Sequence, residues 1–135
     1  MKITLNESVN ASIDTVWNAW LTPEHVVNWN FASHDWHCSK AEVDATEGGR
    51  FKYLMEEKDG GGGFDFEGEF TKVEPKRALA YTITDGRLVT VDFEDKGESV
   101  DITQTFETEE HLAEAEQRQG WQNILSNFKQ YAEQL

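Results

Sequence analysis

A chain of 135 residues carrying eight Phe, five Trp and three Tyr has the length of one domain and enough apolar material for a sizeable core. Its 26 acidic against 12 basic residues, a net charge of −14, repel phosphate backbones and anionic lipid surfaces, so neither nucleic acid nor membrane is an expected partner. The single cysteine, Cys38, excludes an internal disulfide. No start resembles a signal peptide and no apolar run approaches the ~20 residues of a bilayer span, which makes the cytoplasm the expected compartment.

Residues Ile3 to Val9 alternate apolar and polar with a slip at Glu7 and Ser8, the pattern of a half-buried strand. Ser12 has the chemistry of an N-cap, and Ile13, Val16, Trp17, Trp20 and Leu21 form the stripe of a short amphipathic helix. At Thr22-Pro23 the chain restarts, with a hydroxyl positioned to cap and a proline suited to the first turn, so Pro23 to Val27 reads as a second brief helix. Asn28 to Cys38 has no clean period and reads as a loop packed on something apolar. Strands follow over Ser39 to Ala45 and Arg50 to Glu56, joined by a tight turn at Glu47-Gly48-Gly49, with Phe51, Tyr53 and Met55 sharing one face. After Lys58-Asp59-Gly60 and three more glycines, Phe64, Phe66, Gly68 and Phe70 alternate with polar residues and predict a buried aromatic face. Turns at Glu74-Pro75-Lys76-Arg77, Asp85-Gly86 and Asp95-Lys96-Gly97 separate three more strands, Ala78 to Thr84, Leu88 to Glu94 and Ser99 to Phe106.

The remainder, Glu109 to Leu135, reads as one long helix capped by Thr108, with Trp121, Ile124, Leu125, Phe128, Ala132 and Leu135 on one face. That face needs a partner, because an isolated amphipathic helix is marginal in water. Continued backwards, the same period places Gln117 and Glu114 on the apolar side and Leu112 opposite. Either the helix bends near Gly120, or polar groups point inward beside a cavity. One strand, two short helices, six strands in a meander and a long helix make an α+β fold, an antiparallel sheet with one face covered by the helix.

Several segments together resemble a known superfamily. These are Gly48-Gly49-Arg50-Phe51 entering a strand, Gly68-Glu69-Phe70-Thr71-Lys72-Val73-Glu74-Pro75, Leu79-Ala80-Tyr81-Thr82, and Gly120-Trp121 with Ile124-Leu125-Ser126-Asn127-Phe128. Their order is similar to that of START-like or SRPBCC proteins, and within them to the bacterial proteins resembling the C-terminal domain of the activator of heat shock protein 90 ATPase. The resemblance spans essentially the whole chain. It implies a helix-grip fold, a curved sheet of about six or seven strands wrapped on a long C-terminal helix around a mostly hydrophobic cavity. It also implies binding of a lipid, polyketide, flavonoid or similar small molecule, with cyclase, dehydratase or hydrolase chemistry as the alternative. The resemblance brings no catalytic motif to map, so no catalytic residue and no cofactor are expected.

Trp29, Trp36, Phe51, Tyr53, Phe66, Tyr81, Gln117, Trp121 and Leu125 are the expected ligand-binding residues, each of them also explicable as ordinary core packing. Arg50, Lys52 or Arg87 could meet a single carboxylate. Trp17 and Trp20 are expected to fix the first helix. His34, Asp35, His37 and Cys38 make the one metal-like cluster, but neighbours on an extended segment point to opposite sides, so a solvated polar loop is expected and no metal. A chaperone partner is not expected either, since one domain consumes the chain and leaves no room for the extra N-terminal domain that such activators carry.

Overall fold

The computed structural model describes residues 2–135. Strand β1 (Lys2–Val9) is followed by helices α1 (Ile13–Leu21) and α2 (Pro23–Val26). Six strands come next, β2 (Trp36–Val43), β3 (Arg50–Glu57), β4 (Gly63–Glu74), β5 (Ala78–Ile83), β6 (Leu88–Asp95) and β7 (Val100–Glu107), and helix α3 (Glu114–Ala132) ends the fold. All seven strands form one antiparallel sheet in the order β1-β7-β6-β5-β4-β3-β2. The sheet curls into a half-barrel around α3, the helix-grip arrangement. Closure of the first strand on the last, with Ile3 opposite Phe106 and Val9 opposite Val100, is what a meander alone would not dictate.

The alternation along each strand sorts the sheet into an apolar concave face and a charged convex one. On β3, Phe51, Tyr53 and Met55 are buried while Arg50 and Lys52 face solvent, paired with Glu67, Glu69 and Asp65 on β4. On β7, Val100, Ile102, Gln104 and Phe106 all turn inward. Helix α3 sets Leu125, Phe128 and Ala132 against this face, and α1 adds Val16, Ala19 and Trp20. Trp20, Trp29 and Phe128 pack ring on ring with centroids 4.8–5.1 Å apart, an aromatic knot joining α1 and the turn after α2 to α3.

Several local expectations are corrected. The β1 alternation does not slip: Glu7 occupies an inward position, where the Gln122 amide of α3 reaches its carboxylate at 3.4 Å. Ser12 caps α1 through the amide of Thr15, but Thr22 caps nothing with its side chain, because its hydroxyl donates back to Asn18 Oδ1 at 2.8 Å. Strand β2 starts at Trp36, three residues early, and His37 and Cys38 pair across to Glu56 and Met55 before a bulge at Ser39. Phe64 is not on a buried face but 53% exposed at the start of β4.

The largest correction concerns α3. It begins at Glu114 behind an Ala113 N-cap that has no side-chain cap, five residues beyond the expected start after Thr108. Gln117 supplies the reason. Its Oε1 accepts from the Glu109 amide at 2.7 Å, and its Nε2 donates to the carbonyls of Glu109 and Leu112 at 2.9 and 3.0 Å. These bonds satisfy backbone groups that a longer helix would have used, and they fold residues 109–113 back over the first turn.

Candidate functional site

Between the concave face and α3 lies a cavity of about 340 Å³. Its sheet wall is built by Phe51, Tyr53 and Met55 of β3, Phe66 and Phe70 of β4, Tyr81 of β5 and Gln104 of β7. Gly120, Trp121, Ile124 and Leu125 of α3 form the opposite wall, and Trp20, Trp29, Asn30 and Ala32 close one end. Arg87, Glu109, Leu112, Gln117 and Phe64 complete the lining, and the 51% exposure of Leu112 with that of Phe64 marks where it opens to solvent.

The aromatic walls are fixed by their own packing. Phe51 is the hub, with ring centroids 5.0 Å from both Tyr53 and Tyr81 and 5.3 Å from Phe70. Trp121 lies flat on Phe106, centroids 4.2 Å apart and planes 7° from parallel, and turns its edge to Phe66. Trp29 is anchored by its indole N–H, which donates to the Ala19 carbonyl at 3.0 Å. Gly68 makes room for the hub: a Cβ there would stand 2.4 Å from the Thr82 carbonyl oxygen and 2.8 Å from the Phe51 ring.

Polar chemistry in the lining is sparse. Burial pushes the hydroxyls of Tyr53 and Tyr81 far above the usual tyrosine range; for Tyr53 the proximity of Tyr81 and Cys38 adds to it, and for Tyr81 a hydrogen bond with Gln104 opposes it. Both are neutral donors at any physiological pH. Arg87 reaches the cavity from the β5–β6 turn, where Gly86 takes φ 90°. Its Nε donates to Asp85 at 2.8 Å, and its guanidinium stands 3.8 Å from the Glu109 carboxylate.

Of the nine residues singled out in the sequence, Trp29, Phe51, Tyr53, Phe66, Tyr81, Gln117, Trp121 and Leu125 all line the cavity. Trp36 is not in the lining; it packs its edge against Phe64 at 5.7 Å, behind the opening. Gln117 lines the wall with its amide wholly committed to the 109–113 backbone, so its part is architectural, and Glu114 stands in solvent. Trp20 both fixes α1 and lines the cavity, a second role its helix position did not announce. Gln104 carried a signal, a polar residue in phase with Ile102 and Phe106. Arg50 and Lys52 face outward, leaving Arg87 as the cation at the cavity.

The His34–Cys38 segment separates as alternation requires. Cys38 is buried, with burial raising its thiol and a hydrogen bond from Asn30 opposing the shift, while His37 points outward beside Glu56 at 3.9 Å. Among the described residues no three His, Cys, Asp or Glu side chains gather as a metal site, and no helix is long and apolar enough to cross a membrane.

The family model described as "Activator of Hsp90 ATPase homolog 1-like protein" (AHSA1) matches residues 10–133. The chain belongs to this family. An AHSA1-like protein from Aeromonas hydrophila, solved in solution, is 43% identical with a TM-score of 0.93, covering 98% of this chain and 92% of that one. A second solution structure, from Cytophaga hutchinsonii, is 40% identical with a TM-score of 0.85 over 98% of this chain and 92% of that one. A crystal structure from Chromobacterium violaceum shares the AHSA1-like fold at 21% identity, TM-score 0.88, covering 98% of both chains. A comparison with curated proteins found no match. The AHSA1 family is START/SRPBCC-like, as the sequence motifs imply.

Proposed function

We propose that this AHSA1-family protein is a binding protein for one small, largely apolar molecule held between the sheet and α3. The observation that carries the reading is the cavity itself: about 340 Å³, within the usual range for ligand pockets, walled by aromatic rings and open beside Phe64 and Leu112. Burial of ligand surface against those rings supplies the affinity, at roughly 25 cal/mol per Å² before the costs of association. The lining residues named from the sequence other than Gln117, namely Trp29, Phe51, Tyr53, Phe66, Tyr81, Trp121 and Leu125, are the proposed contacts. Among the described residues no histidine lines the cavity, and its one carboxylate, Glu109, is engaged by Arg87, which favours binding over acid–base catalysis.

The test is a thermal-shift screen of the purified protein against fatty acids, flavonoids, polyketide-like aromatics and sterols. A ligand at a hundred times its dissociation constant adds roughly 2.7 kcal/mol to the folded state, a shift of several degrees for a domain of this size. The expected result is a saturable hit that Trp121→Ala weakens while the protein remains folded. No hit in any class would overturn the proposal. The family's name refers to activation of the Hsp90 ATPase, and adding the protein to a chaperone ATPase assay is expected to give no stimulation.

A further inference from the structure

A second concavity lies between the α2–β2 loop and the side of α3 that faces it. It is a groove of about 350 Å³, a volume in the range of small-molecule sites, lined by Phe31, Ser33 and His34 of the loop and Asn123, Ser126 and Asn127 of the helix. Ala32 lines both this groove and the inner cavity, so the loop is the partition between them. Among the described residues no Lys, Arg, Asp or Glu lines the groove, although 28% of the chain is charged. Helix α3 shows the same restriction: between Arg118 and Lys129 it carries no charged residue, where the solvated face of a helix ordinarily carries several.

The polar groups of the groove are held in place by bonds within the fold. Asn123 donates to the Ala32 carbonyl at 3.1 Å and accepts from Gln119 at 2.6 Å, so its amide is spent on positioning the loop. Asn127 donates to the Phe31 carbonyl at 2.7 Å and keeps its Oδ1 as an acceptor, and Ser126 Oγ accepts from Gln122 at 3.2 Å and keeps its O–H as a donor. The Ser33 hydroxyl and the His34 ring nitrogens make no hydrogen bond to any described residue. An anion would find no Lys or Arg here and would meet a net charge of −14, and a cation would find no carboxylate in the lining. A hydroxyl group donates and accepts at one atom, which matches the mixture of groups left over. The half-buried Phe31 ring supplies apolar surface for the C–H side of such a ligand.

We infer that this groove is a second binding site, separate from the cavity, for a neutral hydroxyl-bearing ring, a sugar or cyclitol. Its hydroxyls donate to Asn127 Oδ1 and accept from the Ser126 hydroxyl, and Ser33 and His34 are its partners on the loop side. The site stands whether or not the cavity binds a ligand. Four probes separate the possibilities: methyl β-glucopyranoside as the neutral ring, methyl β-glucuronide as the same ring with an anion, glucosamine as the ring with a cation, and N-acetylglycinamide with amide donors and acceptors but no hydroxyl. Their affinities are measured by amide NMR titration of the whole protein.

The neutral glucoside is expected to shift the amides of Ser33, His34, Ser126 and Asn127 saturably while the Trp121 indole N–H in the cavity stays still, and to bind more tightly than the other three probes. Ser126→Ala and Ser33→Ala should each weaken it by about threefold to tenfold, the loss of one hydrogen bond. In the unmodified protein, nuclear Overhauser contacts between the Phe31 ring protons and the sugar ring protons should appear, which holds the inference to account whatever the variants do. No saturable shift, shifts centred on the cavity, tighter binding of a charged ring or of the amide, or full affinity in both serine variants would each overturn the inference. None of these outcomes bears on the thermal-shift screen that tests the cavity.

Discussion

Gln117 shows how one side chain can decide where a helix begins. Its amide makes three bonds to the backbone of residues 109–113, so Gln117→Ala would leave half-buried peptide groups of Glu109 and Leu112 without these partners. The expected cost is about 1–3 kcal/mol in urea unfolding, with faster hydrogen exchange at the Glu109 amide. The buried tyrosines make a second residue-scale prediction. Their folded-state values lie above the ordinary 10.0, so their contribution is complete below pH 10 and is lost as pH rises past it, when the unfolded chain can ionise and the folded one cannot. Alkaline unfolding should therefore begin above pH 10 together with tyrosinate absorbance, and Tyr53→Phe should lessen that alkaline loss of stability. The inward position of Gln117 was legible, because helical period alone carried it to the apolar face. Its partners were not legible, since no periodicity reports that a side chain will bond backbone eight residues earlier.

At the scale of elements, the strands were legible wherever alternation ran against clear turn residues, as along Phe51, Tyr53 and Met55 or through Asp85-Gly86. The start of β2 was not, because Trp36, His37 and Cys38 alternate too briefly for sequence to show that β3 pairs with them. Phe64 misled for a related reason: alternation assigns a face, but the end of a strand that outruns its covering helix leaves that face open. Two glycines test the packing of elements in opposite directions. Gly120 lies within α3 at the cavity wall, and a Cβ there meets nothing within 4 Å. Gly120→Ala should raise the melting temperature, since alanine gains about 1 kcal/mol over glycine in a helix interior. Gly68→Ala should do the reverse, because its Cβ would collide with the Thr82 carbonyl and the Phe51 ring. A loss of roughly 1–3 kcal/mol is expected, read as a lower urea midpoint.

Over the whole molecule, the end of β1 and the end of α3 are tied at one corner. Glu133, just beyond α3, accepts from the Asn10 amide at 2.8 Å and from Lys129 at 2.9 Å, and Lys129 also donates to the Ser8 carbonyl. The Asn10 amide first, then Lys129, hold the Glu133 carboxyl below its usual range. That contribution is full above pH 4.5 and is lost as pH falls through the lowered folded value, so the stability gap between the native protein and Glu133→Gln should close on acidification. Calorimetry from pH 7 down to pH 3 would show a constant gap if the carboxylate were only a surface ornament. The pairing of β1 with β7 has a kinetic consequence. Lys2 finds its neighbour at Glu107, so the first strand has no lateral partner until the last one exists. At roughly 5–20 residues per second, a nascent chain waits several seconds or more on the ribosome with β1 unpaired, and this non-local closure should dominate the refolding time of the isolated protein. The cavity, whose walls come from β3, β4, β5, β7 and α3, is completed last, and a chain halted before α3 would have no cavity at all.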